Sequence, residues 1–152
     1  MDRIDKTILD LLQRDANASL QDISEQVNLS TTPCWRRIQR LEREGFIGRR
    51  VALLDPAKLN VGVTVFVSIR TSQHNEKWFK RFNSVVAAIP QVVEFYRMSG
   101  DVDYLLRIVV PDIKAYDDVY KRLIRDIELS DVSSSFAMEQ IKYTTALPLD
   151  YV

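Results

Sequence analysis

Apolar residues recur at three- and four-residue spacing from the N-terminus to Leu41, whereas from Gly62 onward such stretches alternate with strand-like runs, so the chain divides into a helical head and a mixed body. In the head, Ile8, Leu11 and Leu12 form one side of a first helix that Asp5 can cap and that ends near Asp15. Ser19, with Asp22 three residues on and Ile23 next, is a capping-box signal: the hydroxyl accepts an orphan backbone N–H and the carboxylate reaches back. Asn28 competes for backbone hydrogen bonds and tolerates the left-handed conformation, which ends that second helix. Ser30 then caps a third, with Thr31, Thr32 and Pro33 in its first turn, where the N–H that proline lacks has no partner to lose. At 3.6 residues per turn Cys34, Ile38 and Leu41 share one stripe of this helix. Thr32, Arg36, Gln39, Arg40 and Arg43 cluster opposite, with Trp35 and Arg37 at the margins.

After Gly45 the stretch FIGRRVALLD is rich in strand formers until Asp55-Pro56 breaks it, which predicts a strand or hinge over Ile47 to Leu53 and a linker over Asp55 to Asn60. Val63, Val65, Val67 and Ile69 alternate with Thr64, Phe66, Ser68 and Arg70 as a strand. A helix follows, in which Trp78, Phe79, Phe82, Val85, Val86 and Ile89 recur up to Pro90. Two strand-like runs, Val92 to Met98 and Tyr104 to Val110, flank a turn at Ser99-Gly100-Asp101-Val102. Pro111 and Asp112 open a further helix with Ile113, Tyr116, Val119, Tyr120, Leu123 and Ile127 inward, and Val132 to Tyr143 reads as a long last strand. The order βαββαβ predicts an α+β chain: a three-helix helix-turn-helix domain over 1–46, a strand and linker over 47–60, and a ferredoxin-like domain over 61–152. Helices cover one face of such a sheet. Apolar residues on both sides of the first strand, with Phe136 and Met138 on the last, suggest that a second subunit covers the other.

Charge changes this picture locally. Lys plus Arg and Asp plus Glu both number 21, so the whole chain is neutral. Yet residues 36–50 hold Arg36, Arg37, Arg40, Arg43, Arg49 and Arg50 against Glu42 and Glu44, a local excess of +4 on and just after the third helix. Four arginines on one helix are often only a solvated face. Here they follow a short polar turn, behind a capped helix at the spacing of a helix-turn-helix, which points to double-stranded DNA in the major groove. Trp35 can pack on the headpiece or touch a phosphate or base. So small a patch binds weakly alone, because nonspecific affinity scales with the phosphates neutralised, and the protein is expected to act as a dimer or larger.

Other functions find little support. Cys34 lies on an apolar helix stripe and His74 in a polar loop, which supplies neither an activated nucleophile nor a metal-ligand cluster, so an enzyme is not expected and no metal or cofactor is implied. One cysteine excludes an intrachain disulfide framework. No apolar run approaches the ~18 residues a membrane span requires, and charges interrupt the N-terminus where a secretory signal needs an apolar core. A cytoplasmic location without membrane partners is the expectation.

Two motifs are more specific. LSTTPCWRRIQRLEREGFI, Leu29 to Ile47, is similar to the LS-x-TP-C-xx-R-xxLE-xxGxI pattern of the Lrp/AsnC transcription regulators, and SGDVDYLL, Ser99 to Leu106, to that family's SG-x-xDYLL turn. The resemblance spans nearly the whole chain. It implies a regulator of amino-acid metabolism that binds DNA through Thr31, Thr32, Trp35, Arg36, Arg37, Gln39, Arg40 and Arg43, dimerises through its C-terminal domain, and assembles into tetramers or octamers. It also implies a free amino acid as effector, in a pocket between dimers. Carried over, that pocket involves Met98, Gly100, Asp101, Asp103 and Tyr104, with Ser134, Ser135, Phe136 and Ala137 opposite. The chemistry is consistent: Asp101 or Asp103 offers a carboxylate to an ammonium group, and a glycine turn exposes backbone N–H groups to a carboxylate. Without the family, Gly100-Asp101 reads as an ordinary hairpin turn. TTPCW, with SSFAMEQIKYTTALP from Ser134 to Pro148, resembles family members that include regulators of cysteine catabolism, while leucine, methionine and other small apolar amino acids remain open as effectors. The competing reading is an amino-acid-binding oligomeric module without a DNA role.

Overall fold

Helices α1 (Arg3–Arg14), α2 (Leu20–Gln26) and α3 (Thr31–Arg43) build the head of the protein. In the computed structural model, which describes residues 1–125 and 127–152, they belong to a unit formed by Met1–Leu53 and Ile141–Val152. The cap of α1 is Asp2, not Asp5. Asp2 accepts from the backbone N–H of Asp5 at 2.8 Å, and the Asp5 carboxylate accepts from that of Asp2 at 3.3 Å, a reciprocal capping box that three-residue spacing allows. Ser19 caps α2 by accepting from the Asp22 N–H at 3.0 Å, but the Asp22 carboxylate takes the Ser19 hydroxyl at 2.6 Å instead of its backbone. Ser19→Ala is therefore expected to cost about 1 kcal/mol, read as a lowered midpoint in urea. Asn28 adopts φ 54°, the left-handed stop between α2 and α3. Ile8, Leu9, Leu12, Ile23, Val27, Cys34, Ile38 and Leu41 close the core of the head.

Two expectations about this region need correction. Ile47 to Leu53 joins no sheet among the described residues, and Val51 and Leu53 are exposed. The last residues, assigned to the 61–152 domain, instead pack with the head. The Gln13 amide clasps Leu147, donating to its carbonyl at 3.1 Å and accepting from its N–H at 2.8 Å, while Leu149 packs on the helical core.

The second unit, Leu54–Gln140, runs β1 (Val63–Arg70), α4 (Glu76–Ala87), β2 (Val92–Arg97), β3 (Tyr104–Val110), α5 (Ile113–Arg125) and β4 (Asp131–Phe136). The sheet order is β2-β3-β1-β4 with every pair antiparallel, the α+β ferredoxin-like arrangement that the βαββαβ pattern predicts. Alternation places Val65, Val67, Ile69, Tyr104, Leu106, Ile108 and Val110 on the helix side, against Phe82, Val86 and Ile89 of the α4 region and Tyr116, Val119, Leu123 and Ile127 of the α5 region. Ile113, expected inward, is 71% exposed at the first residue of α5.

The last strand stops at Phe136 rather than Tyr143: Phe136 lies opposite Val65, and past the Ala137 N–H bond to the Thr64 carbonyl at 2.9 Å only Val63 of β1 is left, too little to pair a strand reaching Tyr143. Phe136 faces the helices, not the open side, since it pairs with a buried residue and its ring meets Tyr116 edge-on at 5.3 Å. Met138 lies past the strand and is 96% exposed. The open face carries Phe66 and Ser68 of β1, Leu105 and Arg107 of β3, and Glu94 and Tyr96 of β2. Arg107 pairs with Glu94 at 2.7 Å and holds that carboxyl below the usual carboxylate range. Among the described residues, no helix is long and apolar enough to cross a membrane.

Candidate functional site

The outer face of α3 begins at an unneutralised helix end. No acidic residue occupies its first turn, and the Ser30 hydroxyl makes no capping bond, so exposed Thr31 and Thr32 sit beside free backbone N–H groups at the positive end of the helix dipole. Arg36 and Arg43 are exposed one and three turns on, and neither enters an ion pair or side-chain hydrogen bond among the described residues. Gln39 is exposed and donates to Glu42 at 2.9 Å. Trp35 is 51% exposed and lines a shallow cleft with Leu20 and Ile23, so one edge packs while the other stays free.

Arg37 and Arg40 do not share that face. Nη1 of Arg37 lies 2.7 Å from both Asp2 and Asp5, and Nη2 of Arg40 lies 2.5 Å from the second oxygen of Asp5. Asp5 is only 2% exposed. The expectation that Arg40 stands on the free face fails for a packing reason: it borders the apolar stripe of α3, and the head core presses that border onto the N-terminus of α1. Asp2 and Asp5 are the partners of these arginines, which helical periodicity does not point to, although their three-residue spacing is a readable capping signal. The Asp2 carboxyl is held below the usual carboxylate range first by the Asp5 backbone N–H and then by Arg37. Arg50 is also engaged, at 2.8 Å from Glu42. Once Asp2 and Asp5 are added to the patch, its local excess falls from +4 to +2.

The second candidate site is the β2–β3 turn. Gly100 takes φ +103°, which an L side chain rarely adopts, although a Cβ there would meet nothing within 4 Å; conformation, not space, requires the glycine. The Met98 N–H donates to the Asp103 carbonyl at 2.8 Å and closes the turn. Asp103 is committed structurally: its carboxylate accepts from the Thr71 N–H at 2.8 Å, and its own N–H donates to Ile69 at 3.0 Å. Asp101 is exposed and makes no side-chain bond among the described residues. Tyr104 is buried among Trp78, Phe79, Phe82 and Phe95. One edge of it lines a cleft of about 240 Å³ with Phe79, His74 and Arg97, residues that the motif did not point to.

Ser134, Ser135, Phe136 and Ala137 are not brought to this turn within one chain. Tyr104 is opposite Ile69, which is opposite Val132; Phe136 is opposite Val65, at the other end of β1. The Ser134 hydroxyl bonds the Tyr116 phenol, Ser135 is exposed opposite Phe66, and β1 lies between this strand and the turn. Elsewhere, burial pushes the Cys34 thiol up and leaves it unactivated. No group of three or more His, Cys, Asp or Glu able to hold a metal occurs among the described residues.

Known proteins resemble both parts of the chain. Residues 1–47 match a family model described as winged helix-turn-helix DNA-binding, and residues 64–147 match the Lrp/AsnC ligand binding domain. The chain is 54% identical over 99% of both proteins to the DNA-binding transcriptional activator DecR of Escherichia coli K12. It superposes at a TM-score of 0.95 on the crystal structure of an AsnC family transcriptional regulator from Agrobacterium tumefaciens, with 67% identity and 99% coverage of each chain. A transcriptional regulator from Neisseria meningitidis, solved as a complex with L-Met, superposes at 0.94 with 32% identity, covering 99% of this chain and 98% of that one.

Proposed function

The chain belongs to the Lrp/AsnC family of DNA-binding transcriptional regulators, with an amino-acid-binding regulatory domain behind its helix-turn-helix, and from that premise we propose which residues do each part. Thr31, Thr32, Arg36, Gln39 and Arg43 form the surface that enters the major groove, with the free edge of Trp35 beside it. The observation that carries this is the split of the α3 arginines: Arg36 and Arg43 are exposed and unpaired among the described residues, whereas Arg37 and Arg40 are tied to α1. A headpiece serving assembly alone gives no reason for an uncapped, acid-free helix start beside free arginines.

The effector is a free amino acid, by analogy with the Neisseria protein's L-Met complex. Its ammonium group pairs with Asp101, and its carboxylate takes backbone N–H groups of the Gly100 turn. Because β1 separates that turn from Ser134–Ala137 in one protomer, the two halves of the pocket come from different copies, which a homodimer assembling to a tetramer or octamer supplies. The protein acts in the cytoplasm, with no catalytic step of its own.

Thermal-shift measurements with L-Met and the other common amino acids test the effector reading, since selective binding to the folded state raises the melting point. Asp101→Ala is expected to keep the melting point of the free protein and lose the ligand shift. Asp103→Ala is expected to lower stability by about 1–3 kcal/mol, because the Thr71 N–H loses its acceptor. Undiminished amino-acid binding by Asp101→Ala in calorimetry would refute the assignment.

A further inference from the structure

Asp2 and Asp5 lie 2.5–2.7 Å from two arginines of the recognition helix, which neutralises those partly exposed cations within the head and ties them to α1. We propose that these two carboxylates determine specificity: they hold Arg37 and Arg40 against α1, so that the sequence-blind phosphate attraction of α3 is kept low while Arg36 and Arg43 remain free. The inference rests on the DNA-binding reading of α3 and adds residues outside that helix to its function.

The energetics favour a clamp that DNA does not open. Asp5 is buried, and both of its oxygens are committed, one to Arg37 and the other to Arg40 and the Asp2 N–H. Swinging both arginines out to phosphates would leave a buried carboxylate unpaired, which is far costlier than losing a surface pair. Phosphate, by contrast, offers each arginine a solvent-exposed and salt-screened partner. Arg37 is held from two sides, by exposed Asp2 and buried Asp5, and both hydrogen bonds strengthen its hold on the proton. The clamp also fixes where α3 stands on the head, so these carboxylates act through the arginines and are positioning residues.

Salt dependence reads this directly. The slope of log K against log salt for duplex DNA steepens by about 0.9 for each phosphate newly neutralised. Full-length protein is titrated by fluorescence anisotropy against two labelled duplexes, one of random sequence and one enriched from a random library by the wild-type protein. Asp5→Asn is expected to steepen the random-duplex slope by about 0.9–1.8 per protomer and to shrink the ratio of enriched to random affinity. Asp2→Asn, on a half-exposed carboxylate, is expected to steepen it less, because Asp5 still holds Arg37, and it keeps the test decisive if Asp5→Asn does not fold. Asp10→Asn removes the same charge from α1 but pairs with Arg14, away from α3, and is expected to leave the slope unchanged.

Slopes equal to wild type in the Asp2 and Asp5 variants would overturn the clamp, as would equal steepening by Asp10→Asn, which would reduce the effect to net charge. Failure of wild-type protein to bind either duplex would overturn the DNA reading of α3 itself.

Discussion

Arg36→Ala is expected to weaken binding to a promoter duplex by about 1–3 kcal/mol while leaving the melting point of the protein unchanged. Arg36 stands on the outer face of α3, past the Thr31–Thr32 turn, with no intramolecular ion pair among the described residues, so its removal disturbs no packing. The pattern of loss identifies the contact. A guanine contact through O6 and N7 concentrates the loss on one base position, whereas a phosphate contact weakens all sequences alike and lowers the salt slope by about one. Arg40→Ala serves as the contrast. It leaves the buried Asp5 with one arginine partner instead of two, so its loss falls on stability. Unchanged retardation of promoter fragments by Arg36→Ala would remove that residue from the interface.

Phe82→Ala is expected to destabilise the Leu54–Gln140 unit by about 3–5 kcal/mol. The ring is fully buried and meets three aromatic neighbours: Trp78 at 4.9 Å, Tyr104 at 5.1 Å and Phe95 at 5.3 Å. Its deletion opens a cavity bounded by α4, β2 and the first residue of β3, too rigid to collapse around a methyl group. Tyr104 leads directly out of the Gly100 turn, so the loss also loosens the proposed effector site. Guanidinium unfolding followed by tryptophan fluorescence reads it through Trp78, which neighbours the deleted ring. A loss below about 1 kcal/mol would mean that the cluster repacks around the gap.

How much of each site the sequence disclosed depends on the range of the interactions. The Cys34, Ile38 and Leu41 stripe was readable because its residues are one helical turn apart, and the structure buries all three. The Asn28 stop and the Gly100 turn were readable because each answers to the backbone preference of a single residue type. Local spacing does not single out the α1 cap, because Asp2 and Asp5 each suit the role, and only the completed helix makes Asp2 the cap and Asp5 its N3 partner. Alternation alone makes the last strand too long, because apolar residues continue past Phe136 while β1 offers only two more residues, Thr64 and Val63, beyond Val65.

The sequence by itself determined the order and type of the elements, the helix-turn-helix, the βαββαβ body and the glycine turn, since all of these follow from forces acting within a few residues along the chain. Only the tertiary structure decided which arginines are free. Asp5 lies 32 residues from Arg37 and 35 from Arg40, and their pairing exists only when the head core closes. The tertiary structure likewise parted the Gly100 turn from Ser134–Ala137, because the sheet order, which no single strand encodes, sets β1 between them, and the register pairs Ser134–Phe136 with Val67–Val65 rather than with Ile69 beside the turn.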